Sequence, residues 1–244
     1  MKIGKQEIIA SNENGINAEE RLRRIDIVGL MRNFKAVDFW EKEGVESVLK
    51  LIVSLKEKIG KYESVVSDDV SGRLVSLILW KIINKTRIVH NEKLAKILFV
   101  ASGREIDGWQ KVNQQKKFSI NELIKNNKDK LGKTLVVTEY ISSGESMERL
   151  IKIMSSYNID FDIATVSIKC NPGAYSKIIS DKVYYGEIGA SGIMFYFKNI
   201  YAGVHKKFGS AEAFSEKLGP LTTEMKNVRG DINLLVDEAV KLIK

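Results

Sequence analysis

The stretch from Leu135 to Met154 constrains the fold more than any other part of the chain. It reads Leu-Val-Val-Thr-Glu-Tyr-Ile-Ser-Ser-Gly-Glu-Ser-Met and then Glu-Arg-Leu-Ile-Lys-Ile-Met. A short apolar run stops at an acidic residue, a hydroxyl-rich turn centred on Gly144 follows, and an amphipathic helix begins. Met147, Leu150, Ile151 and Met154 form one apolar stripe at helical spacing. A strand that feeds directly into a helix is the repeating unit of parallel sheets. The same order of parts makes an anion cradle, because the N–H groups at a helix N-terminus are unpaired and carry partial positive charge. A carboxylate just ahead of the turn can hold a sugar hydroxyl.

The alternation recurs along the chain. Strands are predicted at Tyr62–Ser67, Lys96–Ala101, Thr134–Thr138, Phe161–Ile168 and Lys182–Tyr185. Helices are predicted over Gly15–Lys35, Glu41–Ile59, Leu74–Ile83, Ser119–Lys130, Glu145–Tyr157, Gly209–Leu218 and Thr222–Ile243. Leu74–Ile83 is apolar nearly all round, which predicts a buried helix. The polar run Ser102–Lys117 lacks periodicity and reads as a loop. These elements predict an α/β fold with a mostly parallel sheet covered by helices on both faces. Residues 1–60 form an N-terminal helical segment in this reading, 61–205 the α/β core, and 206–244 a C-terminal helical cap. In such sheets ligands bind at the carboxyl ends of the strands. The turns after Ser67, Ala101 and Val137 should all meet on that edge.

Composition narrows the class. Hydrophobic residues make up 44% and charged residues 29% of the 244, the balance of a soluble globular protein. No apolar run approaches the roughly 20 residues that span a bilayer. Met1 to Asn17 has no signal-peptide apolar region, and the single cysteine, Cys170, cannot form an internal disulfide. A reducing, cytoplasmic setting is the expectation. Cys170 is expected to pack as a small buried apolar residue. His90 and His205 are isolated, and no zinc-ligand spacing occurs. The formal net charge of +8 favours anionic partners, although scattered lysines also read as solvated helix faces.

Three constellations carry candidate chemistry. The first is Thr138 to Ser146, where Ser142, Ser143, Gly144 and Ser146 supply hydroxyls and N–H groups and Glu139 an acceptor. The alternative is an ordinary helix start with Ser142 as N-cap and Glu145 closing a capping box. The second is Asp68-Asp69-Val70-Ser71-Gly72-Arg73. Ser71 and Gly72 can present N–H groups, and Arg73 offers a bidentate fork for phosphate oxygens. Its alternative is again a capped helix start. The third is the basic loop with Arg104, Lys111, Lys116 and Lys117, which is otherwise a solvated linker.

The first constellation resembles the phosphoribosyl diphosphate (PRPP) motif of type I phosphoribosyltransferases. Leu135, Val136 and Val137 match the motif's strand, Glu139 its second acid, Ser142-Ser143-Gly144 its phosphate turn and Ser146 its following hydroxyl residue. The order of elements agrees with that family over about Tyr62 to Tyr185. The resemblance implies a type I phosphoribosyltransferase-like fold and transfer of ribose 5-phosphate from PRPP to a nitrogen nucleophile. Glu139 and Ser142 are then the catalytic candidates, and Thr138 through Ser146, Glu145 included, the ribose and 5-phosphate site. Asp68, Asp69, Ser71, Gly72 and Arg73 would hold the diphosphate. Arg104, Lys111, Lys116 and Lys117 would ride on a closing lid. The implied cofactor is Mg²⁺, reached by Asp69 and Glu139 through water.

This sequence departs from the family pattern at Thr138, where the first acid of the pair is expected. That keeps a second reading open, a non-catalytic PRPP or nucleotide sensor. A third, a basic nucleic-acid-binding protein, ranks last because no arginine-rich face or base-stacking motif supports it. The acceptor base is unknown. No membrane partner is expected, and a homodimer is left open.

Overall fold

A computed structural model describes residues 18–100, 120–189, 205–206, 213–214 and 223–243. Its centre is a sheet of five parallel strands: β1 (Ser64–Asp68), β2 (Lys96–Val100), β3 (Thr134–Ile141), β4 (Phe161–Ile168) and β5 (Val183–Ile188). The spatial order is β2-β1-β3-β4-β5. The chain leaves β1 toward one side to make β2 and returns to the other side of β1 to make β3. The order therefore reverses between β1 and β3, and a crevice opens there at the carboxyl ends of the strands.

Helices cover both faces. α1 (Ala18–Arg24), α2 (Ile27–Met31), α3 (Lys42–Ser54), α4 (Asp69–Val89) and α8 (Thr223–Ile243) lie on one side. There Val45, Leu49 and Ile52 of α3 pack with Ile78 and Ile82 of α4, Leu235 and Ala239 of α8, and Leu135 and Val137 of β3. α5 (Ile120–Leu131), α6 (Glu145–Ser156) and α7 (Lys177–Ser180) lie on the other. Ile124, Leu150, Ile151 and Met154 meet Val66, Val136 and Ile163 of the sheet there. Adjacent residues of one strand thus feed opposite cores. Parallel strands buried on both faces need no polar alternation, and both faces of β3 and β4 accordingly carry buried apolar residues, with Thr138, Glu139, Asp162, Thr165 and Ser167 buried among them.

The amino ends of the strands are stapled. Tyr62 donates to Asp162 at 2.9 Å, and burial together with that carboxylate pushes the phenol well above its ordinary range. Ser64 Oγ donates to Leu131 O at 2.6 Å and sits 2.9 Å from Thr134 Oγ1. On the helical side, Asp231 of α8 is 1% exposed. It accepts from the N–H groups of Lys35 and Ala36 at 2.8 and 2.9 Å and from Trp40 Nε1 at 3.0 Å. One carboxylate thereby clasps the segment after α2 to the last helix.

Several boundaries differ from the sequence expectations. The helix predicted over Gly15–Lys35 is broken, because Asp26 turns its side chain to the Gly29 N–H at 2.8 Å and starts α2 afresh. α4 runs far beyond Leu74–Ile83 at both ends. β3 extends three residues past Thr138. Within the helix predicted at Gly209–Leu218, Ala213–Phe214 instead forms strand β7, antiparallel to β6 (His205–Lys206). Cys170 is half-buried rather than enclosed, since β4 has already ended at Ile168. Among the described residues no helix is long and apolar enough to cross a membrane.

Candidate functional site at the switch point

Two of the three constellations converge on the crevice between β1 and β3. Ser67 lies opposite Val137 on one side and Phe99 on the other, so β1 and β2 end together while β3 runs on past them to Ile141. α4 starts immediately after β1, with Asp68 the last strand residue and Asp69 the first helical one. The expected diphosphate loop is therefore helical from the outset. Acidic residues suit a helix N-terminus, and nothing in Asp69-Val70-Ser71-Gly72 breaks a helix outright. Ser71 consequently sits in the first turn, where backbone N–H groups have no intrahelical partner, and Gly72 follows as the residue that opens the helical ladder.

Gly72 brings that turn against β3. A methyl group at its Cα would stand 2.6 Å from Val137 O and 3.1 Å from Thr138 Cα. Only a residue without a side chain allows backbone to meet backbone at this distance. The start of α4 and the end of β3 are thus one structural unit, although 65 residues separate Gly72 from Val137.

Arg73 follows. Its guanidinium lies over the Phe99 ring, 4.5 Å from the centroid. Partial burial, with Arg229 of α8 as a neighbouring cation, lowers its pKa to about 10. Among the described residues no carboxylate forms an ion pair with it. A desolvated cation beside a second cation is a place where an anion is welcome.

The turn after β3 completes the crevice. Ser142 and Ser143 are exposed and Gly144 is buried. Gly144 is the N-cap of α6 with φ +83°, and no side chain caps the helix. The alternative of a Ser142 cap with a Glu145 capping box is therefore not formed. Ser143 Oγ stands 3.5 Å from the Glu145 N–H, a contact too long to satisfy it. Ser146 is half-buried, while Glu145 points to solvent and clears the turn of its negative charge. Two helix N-termini, those of α4 and α6, hence open onto the same strand ends.

The acidic position is more enclosed than the sequence suggests. Glu139 and Thr138 are only 2% and 3% exposed, because β3 continues to Ile141 and carries both inside the sheet. Thr165 of β4 donates its hydroxyl to Glu139 O at 3.1 Å. Arg104, Lys111, Lys116 and Lys117 lie outside the described residues. Phe99, Tyr175, Ile179 and Arg229 also reach this region, and the sequence alone does not single them out. Arg229 falls on a periodic helix far along the chain, and only the packing of α8 on α4 brings it to Arg73.

The fold is an open parallel α/β sheet whose strand order reverses between β1 and β3, with Arg73 and the starts of α4 and α6 at that edge. Solved structures with a similar backbone include three phosphoribosyltransferases. Helicobacter pylori xanthine-guanine-hypoxanthine phosphoribosyltransferase is 15% identical, over 65% of this chain and 92% of that one, with a TM-score of 0.38. The orotate phosphoribosyltransferase of Aeropyrum pernix is 11% identical, over 63% and 75%, with a TM-score of 0.35. The purine phosphoribosyltransferase of Pyrococcus horikoshii is 15% identical, over 58% and 83%, with a TM-score of 0.35. No protein-family model and no curated protein sequence matches the chain.

Proposed function

We propose that the chain binds PRPP with Mg²⁺ in the crevice between β1 and β3 and transfers ribose 5-phosphate to a nitrogen nucleophile. The observation that carries this reading is the junction at Gly72, which sets the first turn of α4 against the PRPP-like strand β3. The 5-phosphate fits the Ser142–Gly144 turn, where the N–H groups of Glu145 and Ser146 open α6. The diphosphate fits the first turn of α4, with Arg73 held in place by Phe99. Glu139 is the acceptor for the ribose hydroxyls.

The donor set suits a hard cation carried by the ligand. Among the described residues no group of three acidic, histidine or cysteine side chains is gathered to hold a metal. Mg²⁺ keeps water and phosphate ligands and takes few from protein, so Glu139 and Asp69 would reach it through water. When bound, it neutralises charge on the departing diphosphate. The chain's own contribution is positioning and fixed positive potential at the strand ends.

Thr138 favours a second reading, a sensor that keeps the ribose-phosphate site without turnover. A buried neutral hydroxyl stands where the family pattern has an acid, so only Glu139 is left to grip the ribose.

Calorimetry with PRPP and Mg²⁺ tests both readings, and absence of binding at millimolar ligand refutes both. Diphosphate release with a panel of bases separates enzyme from sensor. Glu139→Gln should weaken PRPP binding by about tenfold or more, the value of one charge-assisted hydrogen bond. Unchanged binding by the folded variant would remove Glu139 from the site.

A further inference from the structure

The phosphate turn has no side-chain cap of its own, so something else must hold it in shape. Tyr175 lies directly behind it. Its hydroxyl donates to Ile141 O, the last carbonyl of β3, at 3.0 Å. The same oxygen stands 3.4 Å from the Cys170 N–H as its acceptor. Ile141 O also receives the Lys169 N–H at 2.9 Å. The Tyr175 ring and Ile179 flank Gly144 so closely that an added methyl would lie 3.2 Å from each. Tyr175 is itself fixed. It ends the short 3-10 turn Pro172–Ala174, which Asn171 caps through the Gly173 N–H at 3.1 Å. Its own N–H donates to Pro172 O at 3.0 Å.

We infer that Tyr175 is a positioning residue for the Ser142–Gly144 turn, setting the aim of the N–H groups that open α6 toward the bound phosphate. This rests on the ribose-phosphate reading of the crevice. The hydroxyl fixes where β3 stops, and the ring fixes how far Gly144 can swing. A turn held at both points presents its N–H groups without having to order them on binding, which is where preorganisation gains affinity. Tyr175 touches neither ribose nor diphosphate in this arrangement. Its effect should appear only on ligands that carry the 5-phosphate.

Tyr175→Phe keeps the ring and removes the tie to Ile141. Ribose 5-phosphate affinity, read by calorimetry, should fall by about three- to tenfold, the loss of one net hydrogen bond. Affinity for inorganic diphosphate with Mg²⁺, which engages α4, should not move. Amide exchange at Ser143 to Glu145 should quicken in the free protein while the exchange of β4 stays as it was. Tyr175→Leu removes the ring as well and should cost more than Tyr175→Phe on ribose 5-phosphate. Unchanged ribose 5-phosphate affinity and unchanged exchange in Tyr175→Phe would overturn the inference alone. A parallel loss for both ligands together with a lower melting temperature would also overturn it, because Tyr175 would then be a general structural residue. If the unsubstituted chain binds diphosphate but not ribose 5-phosphate, the parent reading of the turn fails and the positioning role falls with it.

Discussion

Gly72→Ala puts the joint between α4 and β3 to a quantitative test. Alanine would place its methyl 2.6 Å from Val137 O and 3.1 Å from Thr138 Cα, both backbone atoms of a central strand. Neither can rotate away. A carbon-to-oxygen contact relaxes at about 3.3 Å, so the first turn of α4 must retreat by about 0.7 Å. Forcing one methylene-sized group into a packed core costs about 1–3 kcal/mol, and the better helix propensity of alanine returns up to about 1 kcal/mol. Taken at the midpoints of the two ranges, the net is a destabilisation of about 1–2 kcal/mol. For a chain of this size that lowers Tm by about 2–8 °C. Gly230 supplies the control. It lies in α8, is exposed, and would find nothing within 4 Å of an added methyl, so Gly230→Ala should stabilise by about 0.5–1 kcal/mol. Two helical glycines should therefore respond with opposite signs in the same thermal or denaturant melt. The retreat also widens the crevice, and a misplacement of this order should weaken PRPP binding by about tenfold. A rise in Tm for Gly72→Ala equal to that of Gly230→Ala would refute the close approach and the site built on it.

Two further perturbations follow from the charges behind the crevice. Asp231→Ala leaves the Lys35 and Ala36 N–H groups and Trp40 Nε1 without their buried acceptor, and should cost about 3 kcal/mol or more in a urea melt. A loss under 1 kcal/mol would mean the clasp is not formed. Arg229→Gln removes a cation that, with burial, depresses Arg73. A depressed base destabilises the fold while it is protonated, so that cost is present in full below pH 10 and lifts as pH rises through about 10. At pH 7 the variant should melt higher than the unsubstituted chain at low salt, with the gap closing as salt screens the pair. It should also gain less thermal stability from added diphosphate. A lower Tm at low salt would contradict the repulsion.

Much of the architecture was legible in the sequence. Apolar runs at Thr134–Thr138 and Phe161–Ile168 had only one way to bury both faces, and the amphipathic stripe Met147 to Met154 could cover only one of them. Those are short-range patterns, and the strands and α6 followed them closely. The boundaries were less legible where one side chain decided them. Asp26 could have sat on a continuous helix face, yet it caps α2. Ser142 had the right spacing for a cap, yet the left-handed Gly144 took that position, because Tyr175 and Ile179 crowd the turn from behind. The reach of β3 past Thr138 depended on pairing with Ser167 and Ile168 of β4, which is invisible to local propensity.

The sequence by itself determined the alternation of strands and helices and a two-faced parallel sheet, and it marked Glu139, the serine turn and Arg73 as candidates. Each depends on residues close together in the chain, where period and spacing speak directly. Only the tertiary structure decided that β1 lies between β2 and β3, that Gly72 meets Val137, that Phe99 lies under Arg73 while the charge of Arg229 reaches it, and that Tyr175 stands behind Gly144. Those contacts join segments 26 to 156 residues apart, and their energy exists only once both cores have closed around the sheet. A local pattern names what an element can be; long-range packing alone chooses which elements meet, and the crevice is made of such meetings.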